Sequence, residues 1–306
     1  MRKFFTVTID VEPDCTPTWH YSSPLTFHGV TKGIVERLQP LFNKYNACPT
    51  YLINNVVLED NGSTVTFLDL KGRFELGTHL HSEFIEPQKQ FFDYAGKKGE
   101  SNQCFLEPEI EFGKMKSITT LFENNFNRKP TSFRAGRFSA GENTIRCLER
   151  LGYKVDSSVT PHVKWDDKTR VRAVDYTNAR QQPYFIRNDS YLEADPNGQI
   201  LEVPVSIIST TKFFRKRALW LRPSFYSNYN AISTVVDKYS KKFANEPIQV
   251  FNMMFHQVEV LAGLSPYTKT EADCLVYMDL LEKFLSSCHA NGIQGVGLSE
   301  LYDIYR

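Results

Sequence analysis

Short apolar runs that stop at a polar or titratable residue recur along this chain, and they constrain its fold more than any other feature. Phe4 to Ile9 stops at Asp10, Phe74 to Thr78 at His79, Thr131 to Phe133 at Arg134, Tyr153 to Val155 at Asp156, and Ile248 to Phe255 at His256. Runs of this length, rich in β-branched and aromatic residues, read as buried strands. Pro49 to Val56, Gln199 to Ile208 and Ile293 to Val296 read the same way. Between them lie stretches with helical spacing. Thr31 to Tyr45 carries Ile34, Leu38, Leu41 and Phe42 on one face, and Lys114 to Phe126 carries Met115, Ile118, Leu121 and Phe122. Gly141 to Leu151 is closed by Gly152, a fitting residue after a helix end. Ser227 to Phe243, Lys269 to Ala290 and Leu298 to Tyr305 complete the set. Strands alternating with helices predict an α/β fold, a parallel sheet covered by helices.

No repeat, low-complexity tract or linker divides the 306 residues, so a single domain spanning 1–306 is expected, with 159–198 a loop-rich insertion. A net charge of +1 gives no broad attraction to nucleic acid. The exception is local: Lys212-Phe-Phe-Arg215-Lys216-Arg217 pairs cations with aromatics and predicts a peripheral contact with anionic lipid. The six cysteines show no C-x-x-C spacing, which argues against a zinc knuckle or redox motif. Free thiols predict a reducing, cytoplasmic setting. The first ten residues lack the apolar length and cleavage site of a signal peptide, and no run suits a membrane span.

In parallel α/β architectures chemistry gathers at the carboxyl ends of strands. The strand-end residues are therefore the candidate site. Asp10 and Glu12 are two apart, so in extended chain both carboxylates face the same way. One can hold a metal while the other accepts a proton from water. In Gly77-Thr-His79-Leu-His81-Ser-Glu83, an extended loop pairs His79 with His81, and a helical one pairs His79 with Glu83. Either set supplies zinc-type donors. His256, at the end of a buried strand, is placed for general acid work. Arg134 can pin a carboxylate and lower its pKa, and Arg137 can contact substrate.

Taken in order, these segments resemble the five motifs of the polysaccharide deacetylases, the NodB-homology enzymes of carbohydrate esterase family 4. Thr8-Ile-Asp10-Val-Glu12 is similar to the first motif, Glu75-Leu-Gly-Thr-His79-Leu-His81 to the second and Ser132-Phe-Arg134-Ala-Gly-Arg137 to the third. Val155-Asp156-Ser-Ser158 is similar to the fourth and Met254-Phe-His256 to the fifth. The combination looks most like the WalW-type branch, which is associated with lipopolysaccharide biosynthesis. The resemblance implies a distorted (β/α)7-type barrel with one divalent metal, usually zinc. It implies removal of an N- or O-acyl group, acetyl above all, from a sugar or glycan, and the basic run Lys212 to Arg217 would bring such an enzyme to lipid-linked sugars. By that likeness Asp10 is the base, Glu12 and His79 are metal ligands, Arg134 orients Asp10, and His256 is the acid, oriented by Asp156. Arg137 and Ser157 face substrate. Most members carry adjacent aspartates in the first motif and histidines four apart in the second. Here Val11 separates the acids, and Glu83 stands where the second histidine would be. The third ligand is then His81 or Glu83. The competing reading is a degenerate, metal-free relative of the same fold, either sugar-binding or a hydrolase.

Overall fold

The computed structural model describes residues 1–89, 101–165, 174–212 and 215–306. Its strands are β1 (Arg2–Val11), β2 (Thr50–Asn54), β3 (Glu75–Leu80), β4 (Ser132–Ala135), β5 (Val155–Asp156), β6 (Lys164–Trp165) and β7 (Val174–Asp175). They continue with β8 (Tyr184–Arg187), β9 (Ser190–Ala194), β10 (Leu201–Glu202), β11 (Ile207–Lys212), β12 (Arg215–Trp220), β13 (Ile248–His256) and β14 (Gln294–Gly295). The main sheet runs β13-β1-β2-β3-β4-β5-β10-β8-β9, with β14 also against β1. It is parallel from β13 through β10, and the β8–β9 hairpin adds an antiparallel edge. The sheet curls until the chain after β10 meets β13: Ser206 N–H donates to the Asn252 carbonyl at 3.0 Å, and Asn252 N–H to Ser206 Oγ at 2.9 Å. This is the expected distorted, parallel-stranded barrel.

Strand parity sorts the side chains. Phe5, Val7, Ile9 and Val11 of β1 belong to the main apolar cluster that also holds the buried helix residues, and each is at most 3% exposed. Phe5 meets Phe284 of the helix Glu271–Ala290 edge to face, the ring centroids 5.6 Å apart. The α-helices are α1 (Gln39–Lys44), α2 (Asn55–Leu58), α3 (Asn61–Asp69), α4 (Pro108–Phe126), α5 (Glu142–Leu151), α6 (Tyr229–Lys242), α7 (Glu271–Ala290) and α8 (Leu298–Tyr305). A π-helical segment, Gly29–Leu38, runs directly into α1. No helix among the described residues is long and apolar enough to cross a membrane.

The alternate residues point into the barrel, where the contents are layered. At the base, Phe4, Leu52, Val155, Leu201 and Val250 pack on Leu298 and Leu301 of α8. Burying a side chain of this kind contributes about 1.5–3 kcal/mol, so α8 is a firm stopper. Above this lies a polar layer of Thr8, Ser157 and Asn252, joined by the hydrogen bonds Thr8 Oγ1 to Asn252 Oδ1 (2.8 Å) and Asn252 Nδ2 to Ser157 Oγ (3.0 Å). The functional residues lie above that.

Most elements agree with the sequence reading, and the differences have local causes. The helix expected from Lys114 begins at Pro108, because proline is well suited to a first helical position. Helices α2 and α3 were not expected. In α3 only Ser63 and Phe67 are buried, too little for a visible apolar stripe, and the start is set by the Asp60 side chain capping Ser63 N–H at 2.7 Å. The stretch 159–198, expected as loops, carries β6 to β9. The basic run Lys212 to Arg217 falls at the β11–β12 connection, and its Phe213-Phe214 centre lies outside the described residues.

Candidate active site

Register brings the strand-end residues together. Asp10 of β1 is paired with His256 of β13, and His79 of β3 with Arg134 of β4. All four lie at the carboxyl edge of the sheet. Arg134 is fully buried and anchors this level. Its guanidinium donates to Asp10 Oδ1 (2.6 Å), Thr8 Oγ1 (2.7 Å), Ser157 Oγ (2.9 Å) and the Ser157 carbonyl (2.7 Å). Burial alone would raise the Asp10 pKa. The Arg134 charge, with smaller contributions from His79 and His256, outweighs it and holds the carboxyl below its usual value.

Glu12, His79 and His81 form a tight group. Glu12 Oε1 lies 3.2 Å from His79 Nε2 and 3.1 Å from His81 Nε2, and the two nitrogens are 3.2 Å apart. The two histidines are two residues apart in extended chain, which turns both rings to the same side. Gly136 makes room for His81, since a Cβ there would sit 2.6 Å from the Leu80 carbonyl and 3.0 Å from the ring. His79 Nδ1 faces the Arg134 carbonyl at 3.1 Å. That nitrogen therefore carries the hydrogen, and Nε2 is left as a lone pair. Tyr21 donates to the other Glu12 oxygen at 2.8 Å.

Three electron-rich atoms this close repel one another unless a proton or a cation sits between them. Two imidazoles and one carboxylate, mutually within 4.8 Å and all buried, are the donor set of a catalytic zinc site that keeps a position open. The residues present therefore fit a divalent metal. Without a cation, burial lowers the His81 pKa, but Glu12 and Glu83 more than reverse this and bring it to about 9. Burial likewise raises Glu12, yet His81, His79 and His256 pull it well below its usual value.

The structure separates the two candidates for third ligand. His81 is in the group, and Glu83 lies behind it. Glu83 Oε1 is 3.8 Å from His81 Nδ1 and accepts from Arg137 at 2.5 Å. It backs His81 as a carboxylate backs a metal-bound histidine, rather than reaching the metal position. Arg137, in the left-handed region at φ 53°, also lines the cavity beside the group.

His256 is held by a residue that the sequence reading did not single out. Its Nδ1 lies 2.9 Å from Glu259 Oε1, which also accepts the His256 backbone N–H (3.0 Å) and Arg222 (2.5 Å). Burial alone would raise Glu259, but Arg222 and then His256 hold it down to about 2, so it is an anion. An anion on Nδ1 fixes the proton there and turns Nε2 toward the site, 3.8 Å from Glu12 Oε1.

Two expectations are corrected. Asp156 does not orient His256. It pairs in register with Phe133, one residue before Arg134, and therefore points to the outer face of the barrel. There it accepts from Ser158 at 2.6 Å and stands beside Glu202 of β10. Ser157 does not face substrate. It is wholly buried, accepting from Arg134 and donating to the Val203 carbonyl at 2.7 Å. Glu259 lies three residues past His256, the one local signal that could have revealed it. Tyr21, Arg222 and Trp19 come from irregular segments with no periodicity to mark them.

The site opens into a cavity of about 640 Å³, lined among others by Asp10, Glu12, His79, His81, Arg137 and His256. That volume is in the range of small-molecule pockets, about 300–1,000 Å³.

No family model matches the chain, and no curated protein matches it. Solved structures do. A protein from Parabacteroides distasonis provisionally named a glycoside hydrolase/deacetylase superposes with a TM-score of 0.65 at 10% identity, over 100% of this chain and 71% of that one. A protein from Mycobacterium smegmatis provisionally named a polysaccharide deacetylase superposes with a TM-score of 0.58 at 15% identity, over 100% of this chain and 91% of that one. A GH57 branching enzyme from Thermococcus kodakaraensis gives 0.52 at 11% identity, over 100% and 72%. At such identities the likeness establishes the fold: this chain has the barrel that these carbohydrate-related structures share.

Proposed function

We propose that this chain is a metal-dependent deacylase of the polysaccharide deacetylase family, removing an N- or O-acyl group, acetyl above all, from a sugar or glycan. The observation that carries this reading is the convergence of the Glu12, His79 and His81 lone pairs in one cavity with Asp10 and His256. Five motifs in family order, on the fold found for two proteins with deacetylase in their names, support it.

Glu12, His79 and His81 would hold the cation, zinc in this reading. When bound, it supplies Lewis acidity, polarising the acyl oxygen and easing loss of a proton from water. The chain's own groups do the rest. Asp10 Oδ1 is engaged by Arg134, which leaves Oδ2, at the edge of the group and 4.0 Å from His79 Nε2, to take the proton of the attacking water. The water oxygen forms its bond to the acyl carbon. As the carbon–nitrogen or carbon–oxygen bond breaks, His256 gives the Nε2 proton to the departing atom, because an amine anion does not leave unprotonated. The proton on Asp10 then passes through solvent to His256 Nε2, replacing the one given up, and the sum is one amide or ester and one water consumed, one carboxylic acid and one amine or alcohol formed.

In this reading the enzyme works in the cytoplasm on precursors of surface polysaccharide such as lipopolysaccharide. Six cysteines without disulfides suit a reducing compartment. The basic run at the β11–β12 connection supports approach to lipid-linked sugars at an anionic leaflet. The test is acetate release from N-acetylated sugars with zinc supplied, comparing wild type with Asp10→Asn and His256→Ala. Each variant should lose about 10²–10⁴-fold in kcat. Sugar binding with no acyl release by zinc-loaded wild type would favour the metal-free relative instead.

A further inference from the structure

Glu12 stands one residue past the end of β1, where the pairing of that strand has run out. The ladder stops at Asp10 with His256 on the β13 side and at Val11 with Ile53 on the β2 side. After His256 the chain turns into a short 3-10 segment, Gln257–Val260, with Glu259 Oε1 accepting the His256 backbone N–H at 3.0 Å. A buried N–H and C=O left bare at Glu12 would be costly. Gln257 supplies both partners from its side chain. Its Oε1 accepts the Glu12 N–H at 3.0 Å, and its Nε2 donates to the Glu12 carbonyl. A primary amide carries the donor and the acceptor of a peptide unit, so one side chain stands in for the strand that has turned away.

The amide has little room to move. Gln257 is wholly buried. Behind it lies Gly29, the first residue of the π-helical segment, where a Cβ would sit 3.0 Å from Gln257 Nε2 and 3.2 Å from Asp14 Oδ1. The Gly29 N–H donates to that same Asp14 oxygen at 2.8 Å, which pins the segment against the amide. With its main chain held, Glu12 is fixed at its far end too. Tyr21 donates to Oε2, which leaves Oε1 to His79 and His81. The acid is tied to the same residue, because His256 directly precedes Gln257. Its Nδ1 is held by Glu259, and the Trp19 ring lies against it, centroids 4.9 Å apart. Its Nε2 ends 3.8 Å from Glu12 Oε1. One side chain thus spans the gap between a candidate metal ligand and the acid.

We infer that Gln257 is a positioning residue for this reaction: its side-chain amide replaces a strand, presents Glu12 to the metal and sets how far that ligand stands from the proton on His256. This rests on the deacylase reading and adds to its machinery a residue that is not among those lining the cavity. Gln249 gives the contrast. It lies near the other end of β13, roughly 25 Å away along the strand. It is equally buried, and its amide also donates to main chain, to the carbonyls of Ser240 (3.0 Å) and Phe243 (2.6 Å). That amide closes the end of α6 on β13, and the site is far from it.

The test uses the full chain and three variants. Gln257→Met keeps the bulk and loses both hydrogen bonds, Gln257→Asn has an amide one methylene short, and Gln249→Met is the comparison. Competition with a chromophoric chelator reads zinc affinity, and the visible bands of cobalt(II), added alone, read ligand geometry. Gln257→Met should bind zinc about 10–100-fold more weakly, the range for loss of an outer partner, with altered cobalt bands. At saturating zinc its kcat on an N-acetylated sugar should fall about tenfold or more with KM little changed, since a misplaced acid slows chemistry rather than binding. Gln257→Asn should follow it, and carries the test should the methionine variant not fold. Gln249→Met should lose stability in urea while zinc affinity and cobalt bands stay as in wild type. Unchanged affinity and bands in the Gln257 variants overturn the inference. So does an equal loss in Gln249→Met, which would mark a general loosening. Zinc binding that depends on Gln257 without acyl release sinks the deacylase reading and keeps the clamp. Acyl release with zinc affinity indifferent to Gln257 does the reverse, and a wild type that binds no zinc overturns both.

Discussion

Two pairs of buried carboxyl groups stand within one barrel and have opposite fates. Asp10 and Glu12, at the mouth, are both held below their usual pKa despite burial. Asp156 and Glu202, side by side on β5 and β10 and facing outward, are both raised by burial: Asp156 to about 6, although its hydrogen bonds and Arg134 pull the other way, and Glu202 with a further push from the Asp156 charge. Depth does not separate them, for all four are buried. The company does: the first pair meets Arg134 in a direct ion pair and is ringed by His79, His81 and His256, whereas the second stands among Tyr176, Tyr184 and Tyr191, with Arg134 only a minor opposing charge. The first pair also meets a cavity, whereas Asp156 and Glu202 are not among its lining residues. Burial of acids is therefore no sign of a site by itself. Burial with opposed charge and an opening is.

The largest expected effect breaks the comparison at its first term. His81→Ala should cost more than about 100-fold in zinc affinity, beyond what loss of an outer partner costs, while Asp156→Asn should leave it unchanged. Competition with a chromophoric chelator reads both, and equal affinity in all three proteins would remove the metal site. Next comes the grip on the acid. Glu259→Gln keeps the size but loses the charge on His256 Nδ1, and kcat on an N-acetylated sugar should fall about 10–100-fold with little change in KM, part of what a positioned acid supplies. An unchanged kcat would return the role to another residue.

The smallest effect belongs to the second pair and is one of stability. A carboxyl whose pKa is raised on folding supports the fold while protonated, and that support is lost as pH climbs from the ordinary value, 3.8, through about 6. Asp156→Asn cannot ionise. By urea unfolding it should match wild type at about pH 4 and exceed it by roughly 2 kcal/mol at about pH 7. A gap that opens in the other direction would mean that folding lowers the Asp156 pKa instead of raising it.

How much of this was legible in sequence depends on whether a residue ends a strand. Asp10, His79, Arg134 and His256 were visible because an apolar run stops at each, and strand register then aligns them. The His79–His81 spacing was legible as one face of an extended chain. Asp156 and Ser157 were misjudged by parity: both end the same strand, but which one turns inward depends on register with β4, which no local pattern reveals. Arg222, Trp19, Trp165 and Tyr267 arrive from loops and short hairpins, where nothing periodic marks a side chain's direction. Helices α2 and α3 escaped for want of a buried stripe.

The bonding of Arg134 has a consequence for how such a protein can change over time. Four hydrogen bonds tie its guanidinium to Asp10, Thr8 and Ser157 at once, so the floor it braces tolerates little alteration. Trp19, Lys164 and Trp165 sit on irregular chain and a two-residue strand at the rim, where insertion or replacement disturbs little beneath. New preferences among descendants of this chain would therefore arise at the lip, over chemistry that stays put.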